Sequence, residues 1–567
     1  MNKARKKRFF LLPILFISIL TLLFFTNGTV SARMGPGPAG GGGGGGGMSG
    51  TTLTIFETAD FSGSGICAFC HSSLMDSAGN DVSIDAHWRS TMMANSGKDP
   101  LWQAKISSEV NRNPALQSVI KEKCSRCHMG MARYQAMTDG TTVGVLGSGF
   151  LDPGHYLHEA AMDGVSCTLC HQIQDINLGM PESFTGQYVI DTSSSPPDRL
   201  AFGPYDQPVK HPMEMHSGFS PLWGIQITDS ALCGTCHTLY TPSVDAGGNV
   251  IGEFPEQTTY LEWEHSVMGG GLSFTCQDCH LPDAVGSVVI SNRPHWLLPR
   301  SPFGQHHLVG GNSFMVNLLK TNASAIGATA DSDHFDATIA RTNAQLQNET
   351  ASVNVVSASI NQDVLAVVFN IQNKAGHKIP SGIPARRVWL HVTVKDARGQ
   401  LVFESGRPQS DVSITGNDAD LNPLSYEPHY DVITSANQVQ IYEPIMLDSD
   451  GAVTYTLLRA ASYAKDNRLL PAGFDKAIAP PDIAVWGSAL TDDDFVAGSD
   501  QVTYLVNVYG KRRPLTVTAE LLYQPVSYTF AENLRQDGTD LVNRFFGFFD
   551  PADKTPKVID TVQQAVR

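Results

Sequence analysis

No cysteine follows Cys279 in this 567-residue chain, and none of the ten lies outside a Cys-x-x-Cys-His motif. That excludes a disulfide framework in the C-terminal half, and a lipoprotein cysteine behind the N-terminal apolar segment. Positive charge is also short: 39 Lys and Arg stand against 55 Asp and Glu, a formal charge of −16. Such a balance disfavours nucleic acid and anionic lipid as partners and suits cationic ones. No second long apolar run follows the first, so a membrane anchor is confined to the N-terminus. No spacing recurs at a fixed period, which excludes a solenoid.

What is there is concentrated in five copies of one motif: Cys67-Ala-Phe-Cys70-His71, Cys124-Ser-Arg-Cys127-His128, Cys167-Thr-Leu-Cys170-His171, Cys233-Gly-Thr-Cys236-His237 and Cys276-Gln-Asp-Cys279-His280. Zinc sites use Cys-x-x-Cys but have no reason to place His after every second Cys, and they pair motifs into four-ligand sets. Thioredoxin-like chemistry uses one such motif in a βαβ setting. Two thiols three positions apart on a helical turn can each form a thioether to a haem vinyl group, with the adjacent imidazole beneath the iron. The motifs therefore predict five covalently attached haem c groups, with His71, His128, His171, His237 and His280 as proximal ligands.

The N-terminus agrees with export. Lys3, Arg5, Lys6, Lys7 and Arg8 precede the apolar stretch Phe9 to Phe25, and Val30-Ser31-Ala32 offers small residues for cleavage. Residues 1–32 read as a signal peptide, or as an uncleaved anchor with its basic flank inside. Residues 33–51, with the run Gly40 to Gly47, read as a flexible linker. Residues 52–345 carry all five motifs. There, helices are expected at Pro100 to Cys124 and Phe314 to Lys320, with little regular structure elsewhere. Trp88, Trp102, Trp223, Trp263 and Trp296 are available to pack on porphyrin faces.

Beyond residue 350 the pattern becomes alternating: Leu365, Val367, Phe369, Ile371, then Val388, Leu390, Val392, Val394, the turn Asp396-Ala397-Arg398-Gly399 and a strand Leu401 to Glu404. Further strands are expected at Gln438 to Ile441, Ala452 to Leu458, Val502 to Val508 and Leu515 to Tyr523. The expected fold class is thus multidomain α+β: a haem-packed, mainly helical and irregular N-terminal domain, then an antiparallel β-sandwich over 350–530. Residues 531–567, with Phe545, Phe546, Phe548 and Phe549, read as a segment packed on the body.

The sixth iron ligand decides between electron carrier and enzyme. Of thirteen non-motif histidines, ten lie before residue 340. His87, His158, His216, His265, His306, His307 and His377 are the candidate distal ligands. Met129, Met162, Met213, Met215 and Met268 compete, since His/Met ligation is a second option. Three acidic clusters, Asp448-Ser449-Asp450, Asn417-Asp418-Ala419-Asp420 and Asp492-Asp493-Asp494, raise calcium binding, but none has a complete calcium-loop pattern and solvated turns are the simpler reading.

Val165-Ser-Cys-Thr-Leu-Cys-His-Gln-Ile173, Thr275-Cys-Gln-Asp-Cys-His-Leu-Pro282 and His306-His-Leu-Val-Gly-Gly-Asn312 resemble segments of multihaem c-type cytochromes of anaerobic respiratory bacteria. The Gly376-His377-x-x-Pro380-x-Gly382 element, followed by Arg386, Arg387 and Trp389, looks like one that accompanies such haem domains. The resemblance implies closely spaced haems, low potentials and respiratory electron transfer, in the periplasm or at the cell surface. It implies as partners a redox protein or an extracellular electron acceptor, and leaves a homo-oligomer or filament open. Two alternatives stand beside it. One is a nitrite or hydroxylamine reductase with one open haem, although pentahaem nitrite reductases carry a Lys in one motif and all five here end in His. The other is a surface-binding protein whose β domain holds the acceptor. No catalytic residue is assigned.

Overall fold

The computed structural model describes residues 53–567, so the segments read as signal peptide, anchor and Gly-rich linker lie outside the described residues. Helices and antiparallel sheets mix as an α+β fold, with short helices before residue 350 and most of the strands after it. No helix among the described residues is long and apolar enough to cross a membrane.

In the N-terminal half the longest expected helix is two. Pro100–Arg112 is capped by Asp99, whose carboxylate accepts the Leu101 N–H at 2.9 Å, and it stops at Asn113 because Pro114 follows. A proline interrupts the ladder of N–H donors and disfavours helical backbone in the residue before it. Gln117–His128 then starts a new helix that ends on the second motif. The expected helix near residue 314 is Ser313–Thr321. A fourteen-residue helix, Ser332–Gln345, was not legible: its buried face is Phe335, Thr338 and Thr342, so the stripe is mostly hydroxyl-bearing. Asp331 caps it through the His334 N–H at 3.0 Å.

The C-terminal half holds two main sheets. In one, Ile441–Tyr442, Arg387–Lys395, Leu515–Gln524 and Lys557–Val566 lie side by side, with Leu401–Ser405 also on Arg387–Lys395. In the other, the order is Ala351–Asn361, Val364–Asn373, Ser499–Asn507 and Val432–Ile433. Leu365, Val367, Phe369 and Ile371 from one sheet share a fully buried core with Val388, Leu390, Val392 and Val394 from the other. Strict alternation puts every second side chain on one face, so these runs were readable in advance.

Two expected strands are much shorter than their sequence windows. Only Ile441–Tyr442 pairs near Gln438, because the Gln440 side chain turns inward to polar partners. Only Val453–Thr454 pairs in the Ala452 to Leu458 window. There the backbone turns so that the Leu457 N–H reaches the Glu109 carboxylate of the other half, at 2.8 Å. The last strand, Lys557–Val566, returns to the sheet beside Leu515–Gln524, so strand structure extends past residue 530.

The halves are joined by apolar and ionic contacts. Helix Asp540–Phe549 buries Phe545, Phe546 and Phe549 in a cluster that includes Leu101 and Ala104 of Pro100–Arg112. Arg112 pairs with Asp537 at 2.8 Å. Deeper, the Glu262 carboxylate of helix Thr259–Glu264 takes Arg468 at 2.7 Å, the Lys378 N–H at 3.1 Å and the Ser381 hydroxyl at 3.0 Å. Lys378 itself pairs with Asp466 at 2.8 Å. Such charges persist in an interior only when fully partnered.

Candidate haem sites

Each motif forms or ends a helical turn: Ser64–Ala68 runs into the first, Gln117–His128 ends on the second, Cys167–Cys170 starts the third, Ser230–His237 ends on the fourth, and Cys276–His280 is the fifth. A turn places residues three apart on one face, so both thiols of a motif point the same way. The fifth is set by a capping box, with the Thr275 hydroxyl and the Asp278 carboxylate each meeting the other's backbone N–H. None of the ten cysteines is in a disulfide.

Three of the five motif imidazoles are oriented alike. The Nδ1 of His71 lies 2.7 Å from the Ile290 carbonyl, that of His171 2.6 Å from the Phe202 carbonyl, and that of His280 2.7 Å from the Val309 carbonyl. A carbonyl can only accept, so Nδ1 carries the proton and Nε2 keeps its lone pair, the tautomer a metal ligand needs. His128 is held differently. Its ring stacks on Trp102, 4.6 Å between centres and 10° from parallel. Desolvation in its half-buried setting pushes the His128 imidazole down to about 4, so it stays neutral.

Thiols of different motifs lie side by side: Cys67 beside Cys167, Cys236 beside Cys127, and Cys233 beside Cys276. Cys170 lies near enough to Cys233 and Cys236 to act on both electrostatically. The first motif thus adjoins the third, the third adjoins the fourth, and the fourth adjoins both the second and the fifth. Tyr188 sits at the convergence. Its hydroxyl donates to the Arg126 carbonyl at 2.8 Å, and burial, then the neighbouring Cys236 and Cys127, hold it well above its usual range.

Among the distal candidates, His306 faces His171 with ring centres 6.5 Å apart and planes 24° from parallel. Two imidazoles sharing one metal, with metal–nitrogen bonds of about 2.0–2.1 Å, have centres roughly 6.3 Å apart. His171 and His306 would be the residues to hold one iron between them. His87 and His307 are 4.8 Å apart and tilted by 58°, too close to share an iron. His216 is exposed and packs on Phe69, inside the first motif, at 5.0 Å. His377, with Nδ1 3.0 Å from the Lys378 carbonyl, lies close enough to His237 and His280 to lower both. His158 and His265 bond the carbonyls of Phe150 and Leu261, each at 2.8 Å. No ring contact among the described residues brings either beside a motif histidine.

The donor set fits haem. Nδ1 of His87 and of His128, Nε of Arg199 and Nη1 of Arg341 are buried without a hydrogen-bond partner. Imidazoles suit an iron, and guanidinium groups suit propionates. The expected tryptophans divide: Trp88 is buried with its indole N–H on the Val165 carbonyl at 3.0 Å, whereas Trp223 and Trp296 are 50% and 64% exposed. Sequence reasoning missed the orienting carbonyls, which lie 219, 31 and 29 residues from their histidines and carry no side-chain signature.

No protein-family model matches the chain, and no curated protein matches it. Among solved structures it is similar to a penta-heme cytochrome c552 from Thermochromatium tepidum. Identity is 16%, the match covers 88% of this chain and 97% of that one, and the TM-score is 0.47.

Proposed function

We propose that this chain is an exported multihaem c-type cytochrome that carries five covalent haems, mostly with two histidine ligands, and passes single electrons among them. The observation that carries the reading is the convergence of all five Cys-x-x-Cys-His turns into one connected set, with His171 and His306 opposed at the spacing of an axial pair. A covalent haem supplies a one-electron iron couple. The chain's own residues do the rest. Cysteines would tether, Nε2 of His71, His171 and His280 is presented by the hydrogen bond on Nδ1, and buried Tyr188 and half-buried Trp102 help keep water from the convergence. His377 lies within electrostatic reach of His237 and His280 of the fourth and fifth motifs, which makes the loop Ala375 to Gly382, held by Glu262, a candidate ligand arm. Periplasm or cell surface is the compartment this chemistry suits, with a redox protein or an extracellular acceptor as partner.

The test is electron paramagnetic resonance on the oxidised protein, with haem per chain quantified on the same sample. Five haems, all low-spin, support the carrier. Fewer than five haems overturns the stoichiometry. His377→Ala should convert one low-spin centre to high-spin, and an unchanged spectrum removes His377 from the ligands.

One observation favours a second reading, a reductase with an open iron. His87, His307 and Arg341 cluster with His87 Nδ1 and Arg341 Nη1 buried and unpartnered, a setting that suits a small anion. A stoichiometric high-spin signal in the unaltered protein, with turnover of nitrite or hydroxylamine, would favour it.

A further inference from the structure

Outside the motifs, the β half gathers four carboxylates from three segments: Asp431 before strand Val432–Ile433, Asp492 and Asp494 in the turn after Ser488–Thr491, and Asp500 on strand Ser499–Asn507. Oxygens of Asp431, Asp492 and Asp494 lie within 4.8 Å of one another, as do ligand atoms of Asp492, Asp500 and His429. No Lys or Arg among the described residues forms an ion pair with any of the four. Lys476, the nearby cation, bonds the backbone carbonyls of Ala489 and Asp492 instead. Asp500 is fully buried; its Oδ2 accepts the Tyr442 hydroxyl at 2.6 Å, while its Oδ1 has no hydrogen-bond partner. That bare oxygen lies 3.7 Å from His429 Nε2, on the side where Asp492 Oδ2 stands 3.1 Å from the same nitrogen. A buried carboxylate oxygen without a donor is costly, and a cation among the four would relieve it.

The role of His429 selects the kind of cation. Its Nδ1 faces the side-chain amide nitrogens of Gln440 at 2.8 Å and Asn467 at 3.0 Å. Both amides are fixed in that sense, since the Gln440 oxygen accepts the Tyr430 N–H and the Asn467 oxygen accepts the Glu443 N–H. Nδ1 therefore accepts, Nε2 carries the proton, and His429 donates it to Asp492 rather than offering a lone pair. A site with oxygen ligands only suits a hard cation over zinc or copper.

We propose that Asp431, Asp492, Asp494 and Asp500 bind one calcium ion, with His429 as a positioning residue for Asp492. The ion staples strand Ser499–Asn507 to the turn before it and to the segment entering Val432–Ile433. Of the acidic clusters visible in the sequence, only the 492–494 turn takes part; Asp431 and Asp500 come from elsewhere in the chain.

The test uses the full-length haem-loaded protein, stripped with chelator and titrated with Ca²⁺ alone, then with Zn²⁺ alone, following bound metal by equilibrium dialysis and unfolding by circular dichroism. One equivalent of Ca²⁺ should bind and raise Tm. Asp431→Asn, at an exposed position that leaves the core intact, and Asp494→Asn should each weaken binding about tenfold or more. His429→Gln should keep the preference for Ca²⁺ over Zn²⁺. Absence of Ca²⁺ uptake, uptake unchanged in both aspartate variants, or preferential Zn²⁺ binding abolished by His429→Gln would each overturn the proposal.

Discussion

The two halves of the molecule solve the problem of a core in opposite ways. After residue 350, two sheets close on each other with Phe369, Leu390, Val502, Val517 and Leu521 at 0–1% exposure, an interior complete in itself. Before it, helices are short, the motif thiols are half-buried or, at Cys279, exposed, and polar atoms such as Nδ1 of His87 and of His128 and Nε of Arg199 lack partners. The first interior is made by side chains packing on side chains. The second is arranged around groups that the five motifs would attach. Stability in the β half is thus written in its sequence, whereas in the N-terminal half, on the proposed reading, it would depend on chemistry performed after synthesis.

The largest effect should follow from removing that chemistry. A full-length chain with all ten motif cysteines changed to Ala should lose amide protection across residues 53–345 in hydrogen exchange while the strands from 351 onward stay protected. Equal loss in both halves would break the comparison. Next comes the seam. Glu262→Ala strips the partner from Arg468 and the acceptor from Lys378 and Ser381, and breaking a buried ion pair on one side costs roughly 3–5 kcal/mol. Denaturant unfolding should show that loss, and a change below about 1 kcal/mol would mean that the seam does not couple the halves.

A smaller effect belongs to Glu256, buried beside Glu109, whose carboxyl is pushed up to about 7, chiefly by burial and then by that neighbour. Its folded value lies above the unfolded one of about 4.3. The folded state therefore binds more protons between those values, and stability falls as pH rises from the lower toward the higher. Glu256→Gln should stabilise the protein by about 1–3 kcal/mol at pH 8 and by little at pH 5. A pH-independent effect would remove Glu256 as the cause. Smallest is Lys123, paired at 2.8 Å with a Glu253 whose side chain is 59% exposed. Lys123→Ala should cost less than about 1 kcal/mol, and less still at high salt.

What could be read in advance follows the same division. Strands 364–373 and 387–395 were legible because alternation is a local signal, and so was the hairpin through Asp396 to Gly399. The motifs were legible because their chemistry fixes their spacing. The helix at 332–345 was hidden by threonines on its buried face, and the strand near 453 was cut short by a bond to Glu109 that no local window contains. At the sites, seven distal candidates were legible but not a choice among them, and the carbonyls of Ile290, Phe202 and Val309 were not foreseen, because every residue has a carbonyl. Which histidines come near a motif is a long-range property that no local window contains.

The contacts among thiols carry a consequence of connectivity. The third motif has neighbours on two sides, while the fourth neighbours the second and fifth through Cys236 and Cys233 and lies within electrostatic reach of the third through Cys170. A layout of this kind is a fork, not a line: it has three free ends, at the first, second and fifth motifs, and every route between the second or the fifth and any other end crosses the Cys233 to His237 turn. Damage at an end shortens the network by one station, whereas damage at the fork leaves two stations isolated from each other and from the rest. Were haems attached at all five motifs, three ends would give three docking positions on one protein, where electrons would merge or divide rather than simply pass through.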